Sequence, residues 1–164
     1  LEPLSRDALI QQAQAIAAEI ASRAIRGSDG RINWLGLSYV PNAERFQLQL
    51  LSHNLYEGNC GIALFLVAVD HLTNSDRYRE PVLAALQPFR QILHRQEPEI
   101  LQRMVQRMGL GGSSGVGSMI YCLVKISQLL HEPTLLSDAH ILARLITPKL
   151  IAADQSLDLI GGAA

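Results

Sequence analysis

Aromatic residues are scarce in this chain, with three Phe, four Tyr and one Trp, and that scarcity argues against a sugar-stacking cleft of the glycosidase kind. Neither sign of charge predominates: fourteen Lys and Arg stand against fifteen Asp and Glu, scattered rather than in runs. No electrostatic footprint for nucleic acid or an anionic membrane results. Long apolar runs are also missing. The longest, residues 60–69, is half the roughly 20 residues that a membrane-spanning helix needs. No basic-then-apolar segment opens the chain either, which leads to the expectation of a cytoplasmic protein. There are only two cysteines. Cys60 and Cys122 each lie in an apolar helical stretch with no second Cys nearby, so each reads as a buried reduced thiol, with a disulfide or metal role as the alternative.

What is abundant is aliphatic. A hydrophobic share of 48%, rich in Leu, Ile and Ala, suffices for a sizeable core and favours helix packed on helix. A glycine-spaced block recurs along the chain. Its copies are Leu55-Tyr-Glu-Gly58-Asn-Cys-Gly61, Gly112-Ser-Ser-Gly115 and Ser156-Leu-Asp-Leu-Ile-Gly161-Gly162-Ala-Ala164. Aligning Gly58, Gly112 and Gly162 gives steps of 54 and 50 residues, the range of repeated supersecondary units. Because the chain lacks a first Met and stops inside a copy, the sequence leads us to expect a piece of a larger protein.

Around these blocks, the periodicity predicts an amphipathic helix over residues 5–26, carried inward by Leu9, Ala13, Ile16, Ile20 and Ala24 and stopped by Gly27. Alternation in Phe46-Gln-Leu-Gln-Leu50 predicts a strand, pairing with residues 32–40 across Pro41-Asn42. Next come helical hairpins. Residues 61–72 are apolar on every side and 76–93 on one side, giving an inner helix and an outer one. Pro81 and Pro88 predict a late start or a kink in the outer helix. Residues 116–130 and 133–147 repeat the scheme, with Pro148 as a stop, and 98–108 form a short helix between the units. The organisation expected is therefore an opening helix and hairpin in 1–54, a first helical hairpin in 55–95, a connecting helix in 96–111, a second hairpin in 112–150 and the start of a third repeat in 151–164. Inner helices that one partner cannot cover stack or close into a ring.

A Gly-x-x-Gly pair opening a buried helix removes two Cβ atoms from its first turn. Either another backbone packs there, or a ligand reaches the free amides at the positive end of the helix. Trp34-Leu-Gly-Leu37, the three glycine blocks and their order resemble the opening half of the LanC-like cyclase domain of class II (LanM-type) lanthipeptide synthetases, over essentially the whole chain. The resemblance implies an all-α, α/α toroid of helical hairpins around a centre, here an incomplete half ring with a short β-hairpin near its N-terminus. It implies addition of Cys thiols of a ribosomally made precursor peptide to dehydrated Ser and Thr, forming thioether rings. Its partners would be that peptide, the remaining cyclase repeats and a dehydratase domain, with no nucleic acid or membrane.

The resemblance also implies a zinc ion in the parent domain, held by a Cys and a Cys-His pair just before the glycine turns of later repeats. Here those positions hold Tyr56 and Glu57, Leu110 and Gly111, and Ile160 and Gly161, and neither Cys60 nor Cys122 is in register. No metal site is assigned to these residues, and the ligands are expected downstream. Asp158 is the candidate catalytic residue. It stands four residues before Gly162, where the resemblance implies an active-site aspartate that relays a proton or holds a His. Its other reading is a helix cap. The candidate glycine positions are Gly58, Gly61, Gly112, Gly115 and Gly162. The five histidines, His53, His71, His94, His131 and His140, show no chelating pair and read as structural, while Arg77, Arg79 and Arg90 read as a solvated face. Two other functions compete: a non-catalytic helical-repeat scaffold that binds a peptide, and another α/α-toroid enzyme such as a glycosidase.

Overall fold

A computed structural model describes residues 5–95, 97–156 and 158–163. Gln96 of the expected connecting segment, and Leu157 and Ala164 of the third glycine block, lie outside the described residues. The structure is helix-rich. Helix α1 spans Arg6–Ser22, capped by Ser5, whose hydroxyl accepts from Ala8 N at 3.2 Å. It stops short of Gly27, because β1 (Ile25–Arg26) turns over and pairs with β2 (Ile32–Asn33). Gly30, at φ 80°, makes that turn possible. The inward face differs from the expected one at two of its five residues. Ala13, Ile20 and Ala24 pack against the core as expected, but Leu9 and Ile16 are 54% and 52% exposed, and the wholly buried position falls to Ala17.

The strand expected over residues 32–40 is broken at Trp34. That side chain is buried and its indole N–H donates to Ile20 O at 2.7 Å, which pins the sheet to α1 and divides β2 from β3 (Leu35–Val40). A 3₁₀ turn, Pro41–Ala43, leads into β4 (Arg45–Leu50), antiparallel to β3 in the register Leu35↔Leu50, Leu37↔Leu48, Tyr39↔Phe46.

Helices α2 (Asn59–Thr73) and α3 (Arg79–His94) form the first hairpin, and α4 (Pro98–Met108) follows. The second hairpin is α5 (Val116–Leu130) with α6 (Pro133–Leu145). Pro148 does not end α6. It opens a short further helix, α7 (Pro148–Ala152), whose cap Thr147 accepts from Leu150 N. Similarly, α3 starts at Arg79, leaving Pro81 in the first turn, where a missing N–H costs little.

Helices α2 and α5 are neighbours and run in the same direction: their N-termini meet where Leu55 N donates to Ser118 Oγ, and beyond their other ends Arg79 donates to Leu130 O at 2.7 Å. Leu66, Val67, Met119, Leu123 and Ile126 fill the seam, and Val82, Leu86, Phe89, Leu93, Leu135 and Leu142 close it from the outer helices. The inner helices are not buried all round as the sequence led us to expect. α2 has α1, α3 and α5 around it and α5 has α2 and α6, so Leu72 and Tyr121 remain 54% and 50% exposed. Helix α2 is capped by Gly58 and α5 by Gly115, and both end in left-handed residues, Asn74 and His131. The step from 58 to 115 and from 74 to 131 is 57 residues, which replaces the 54 taken from Gly112.

The outer helices are locked together by groups that the sequence reading assigned to a solvated face. Arg79 pairs with Glu132 at 3.0 Å, and Arg90 Nε lies 2.5 Å from Asp138 Oδ2. Asp138 is completely buried, and His94 Nε2 stands 2.7 Å from its Oδ1. A proton on that nitrogen satisfies an oxygen that otherwise has no partner among the described residues. Arg77, by contrast, is exposed, and its guanidinium lies over the Tyr78 ring.

Candidate functional site

The three glycine blocks fold into three turns, and backbone hydrogen bonds dock them side by side. In the first, Asn59 N donates to Ser52 O at 2.8 Å, and Asn54 Oδ1 accepts from Glu57 N at 2.9 Å. Gly61 is required because a Cβ there would run into the carbonyl of Leu55. The second turn curls over the start of α5: Val116, Gly117 and Ser118 donate their amides to Gly109, Leu110 and Gly111 carbonyls at 3.0–3.2 Å. Gly109 has φ 73°, and Gly111 is pressed against the backbone of Ile160 and Gly161, where no Cβ fits. The amides that the sequence offered to a ligand at these helix ends are thus largely taken by the loops themselves. The glycines let backbone meet backbone.

The second turn holds the centre. On one side, Ser113 O accepts from Tyr56 N at 3.0 Å; on the other, Gly111, Gly112, Ser113 and Ser114 amides donate to the carbonyls of Gly161, Leu159 and Ile160. Ser114 Oγ adds a bond to Ile160 O. The result is a rim with three exposed apolar side chains, Tyr56, Leu159 and Ile160, and two exposed carboxylates, Glu57 and Asp158.

Asp158 sits at the head of the third turn. Its Oδ1 accepts from Ile160 N and Gly161 N, both at 2.7 Å, while its carbonyl accepts from Gly162 N at 3.0 Å. The Gly161 amide above all, with those of Ile160 and Gly162, holds the carboxyl below its usual range, since amide donors favour the charged form. Asp158 is therefore an anion at neutral pH and a poor general acid. Both the cap and an outward-facing charge are present in the same group.

The cysteines, separate in sequence, are neighbours across the α2–α5 seam. Hydrogen bonding with the Cys122 thiol, and then burial, pushes the Cys60 thiol well above its ordinary range, so it stays protonated. Cys60 therefore offers no thiolate to a metal or a substrate, and Cys122 is buried beside it. Among the described residues there is no group of three or more His, Cys, Asp and Glu that could hold a metal ion, so these residues do not fit the zinc that the resemblance implies. His53, just before the first turn, packs its ring 5.5 Å from that of Phe89, and burial lowers its pKa from 6.5.

Sequence reasoning missed three features. Arg90 and His94 stand four apart on one face of α3, the spacing that brings both to Asp138, and that was the available signal. The Cys60–Cys122 contact had none, because it depends on how two helices slide past each other. Asn59, at the first position of α2, is fully buried with neither side-chain polar atom partnered among the described residues.

A chain of helical hairpins joined by docked glycine turns defines a class of repeat protein, and the comparison with known families narrows it. The model of the family described as lanthionine synthetase C-like protein matches residues 49–164, so this chain belongs to the LanC-like family. A search of curated proteins found no match. Among the described residues, no helix is long and apolar enough to cross a membrane.

Proposed function

We propose that this chain is part of the cyclase domain of a class II lanthipeptide synthetase, acting in the cytoplasm on a ribosomally made precursor peptide. Family membership supports the reaction type, and the docking of the three glycine turns is the observation in this molecule that carries the reading. It gathers the starts of successive repeats at one rim, as a toroid of hairpins around a centre requires. In the reaction, a Cys thiolate of the peptide forms a C–S bond to the β-carbon of a dehydrated Ser or Thr. The alkene electron pair moves toward the α-carbon, which takes up a proton; nothing is oxidised or reduced. The chain's buried thiols take no part in it.

Asp158 is assigned an active-site role within this reading. Its lowered pKa supports an anionic role, which in this reading is to hold a cationic His or ammonium group beside the reacting centre. In the natural full-length protein, Asp158→Asn is expected to leave dehydrated peptide with free thiols, seen by alkylation and mass measurement, while dehydration itself continues. Normal ring closure by a folded Asp158→Asn protein would reduce Asp158 to a turn cap. A wild-type protein that binds the dehydrated peptide without closing rings would instead favour a peptide-binding scaffold.

A further inference from the structure

The β3–β4 ribbon is turned the wrong way round for a half-buried sheet. Leu35, Leu37 and Tyr39 on β3 pair across the strands with Leu50, Leu48 and Phe46 on β4, so six apolar side chains share one face. Every one of them is more than half exposed, from 51% at Tyr39 to 72% at Leu37. The opposite face carries Gly36, Ser38 and Val40, which are half-buried, and Arg45, Gln47 and Gln49, which are exposed; it touches the body at its base, where an added Cβ on Gly36 would meet Leu51 Cδ2 at 2.5 Å. Two strands alone are marginal in water. The apolar face exposes on the order of 600–700 Å², at or above the largest patch of an ordinary monomer.

We infer that this face is an interface between two copies of the chain, packed ribbon on ribbon as a four-stranded sandwich. Face-to-face contact of two such patches buries roughly 1,200–1,400 Å² in total, within the range of stable protein interfaces. The fit follows from the pairing. The two bodies lie at the bases of their ribbons, so only an antiparallel, tip-to-base arrangement keeps them apart. A two-fold axis then sets Leu48 over Leu48 and Leu37 over Leu37, and lays Tyr39 and Phe46 over the smaller Leu35 and Leu50. A net charge of −1 gives little repulsion against association. Of the six residues, only Leu50 falls within the family match, so the surface belongs to a part of the chain outside the shared core.

Sedimentation and light scattering across the micromolar range test this. The natural full-length protein is expected to approach twice its single-chain mass as concentration rises, whereas a ribbon covered by another part of the same protein leaves it at the single-chain mass. Leu48→Glu, which sets two carboxylates against each other at the axis, is expected to remain at the single-chain mass with an unchanged far-ultraviolet spectrum. Gln47→Glu adds the same charge on the other face and is expected to associate like wild type. A short thiol cross-linker is expected to join two copies through Leu48→Cys but not through Ser38→Cys, a readout that holds even if the glutamate variant unfolds. A wild-type monomer throughout, or association that Leu48→Glu and Gln47→Glu affect equally, overturns the proposal.

Discussion

Leu66 on α2 and Leu123 on α5 are wholly buried, whereas Leu37 and Leu48 at the middle of the ribbon keep 72% and 64% of their surface. The residue types are the same and the local patterns equally regular. What differs is the supply of neighbours: the α2–α5 seam is closed by α3 and α6, while among the described residues none lies over the apolar side of β3 and β4. Periodicity tells a side chain which face of its element it occupies, and the burial of that face depends on a second surface coming to meet it.

The contrast can be broken most directly by truncation. Leu123→Ala is expected to cost about 2–5 kcal/mol in urea unfolding, the range for a fully buried Leu that leaves a cavity. Leu48→Ala, measured at protein concentrations low enough for a single chain, is expected to stay within about 0.5 kcal/mol of wild type. Similar losses at both positions would mean that the ribbon is covered within one chain. Arg90→Ala comes next. It removes the guanidinium from buried Asp138, and because Arg90 is itself partly exposed the loss expected is about 2–3 kcal/mol, below the full cost of orphaning a buried charge. A negligible change would show that His94 alone satisfies Asp138.

Gly61→Ala sharpens the comparison on the rim. The new methyl meets the backbone carbonyl of Leu55, which cannot swing aside as a side chain tip would. A destabilisation of about 1–3 kcal/mol is expected from this overpacking, whereas Gly30→Asn, in open space at positive φ, is expected to be far milder. Equal effects would remove the case for backbone packing at the first turn.

The smallest effect concerns pH. His53 has a folded pKa below its ordinary 6.5 because it is buried against Phe89. Below pH 6.5 the unfolded chain takes up a proton that the folded chain resists, so stability falls as the pH is lowered through that value and levels off above it. His53→Gln is expected to flatten this limb of the urea-midpoint profile between pH 7.5 and 5.5 relative to wild type. A profile of unchanged slope would assign the acid sensitivity to other groups.

Much of this molecule was legible in its sequence. The helices over 98–108 and 116–130 appear at the expected bounds, and the hairpin around Pro41-Asn42 forms where alternation placed it. Boundaries moved where a competing interaction won: β1 pairing shortened α1, and Trp34 divided a strand. On α1, Ala13 and Ile20 pack inward as their spacing implied, while Leu9 and Ile16, which look like core residues at helical spacing, stay exposed and Ala17 is buried instead. Of the candidate site, the glycine turns were visible as a repeated block, while the bonds that dock them were not.

By itself, then, the sequence determined the elements and the turns between them, since helical periods, proline and glycine act through sterics within a few residues. The tertiary structure alone decided that Cys60 meets Cys122, that Arg90 and His94 close on Asp138, and that Asp158 binds its own turn beside Gly111. It also decided which side of the ribbon faces outward. These contacts join residues far apart in the chain or depend on the phase of one element against another, and a periodic pattern fixes a face without fixing the offset at which two faces engage.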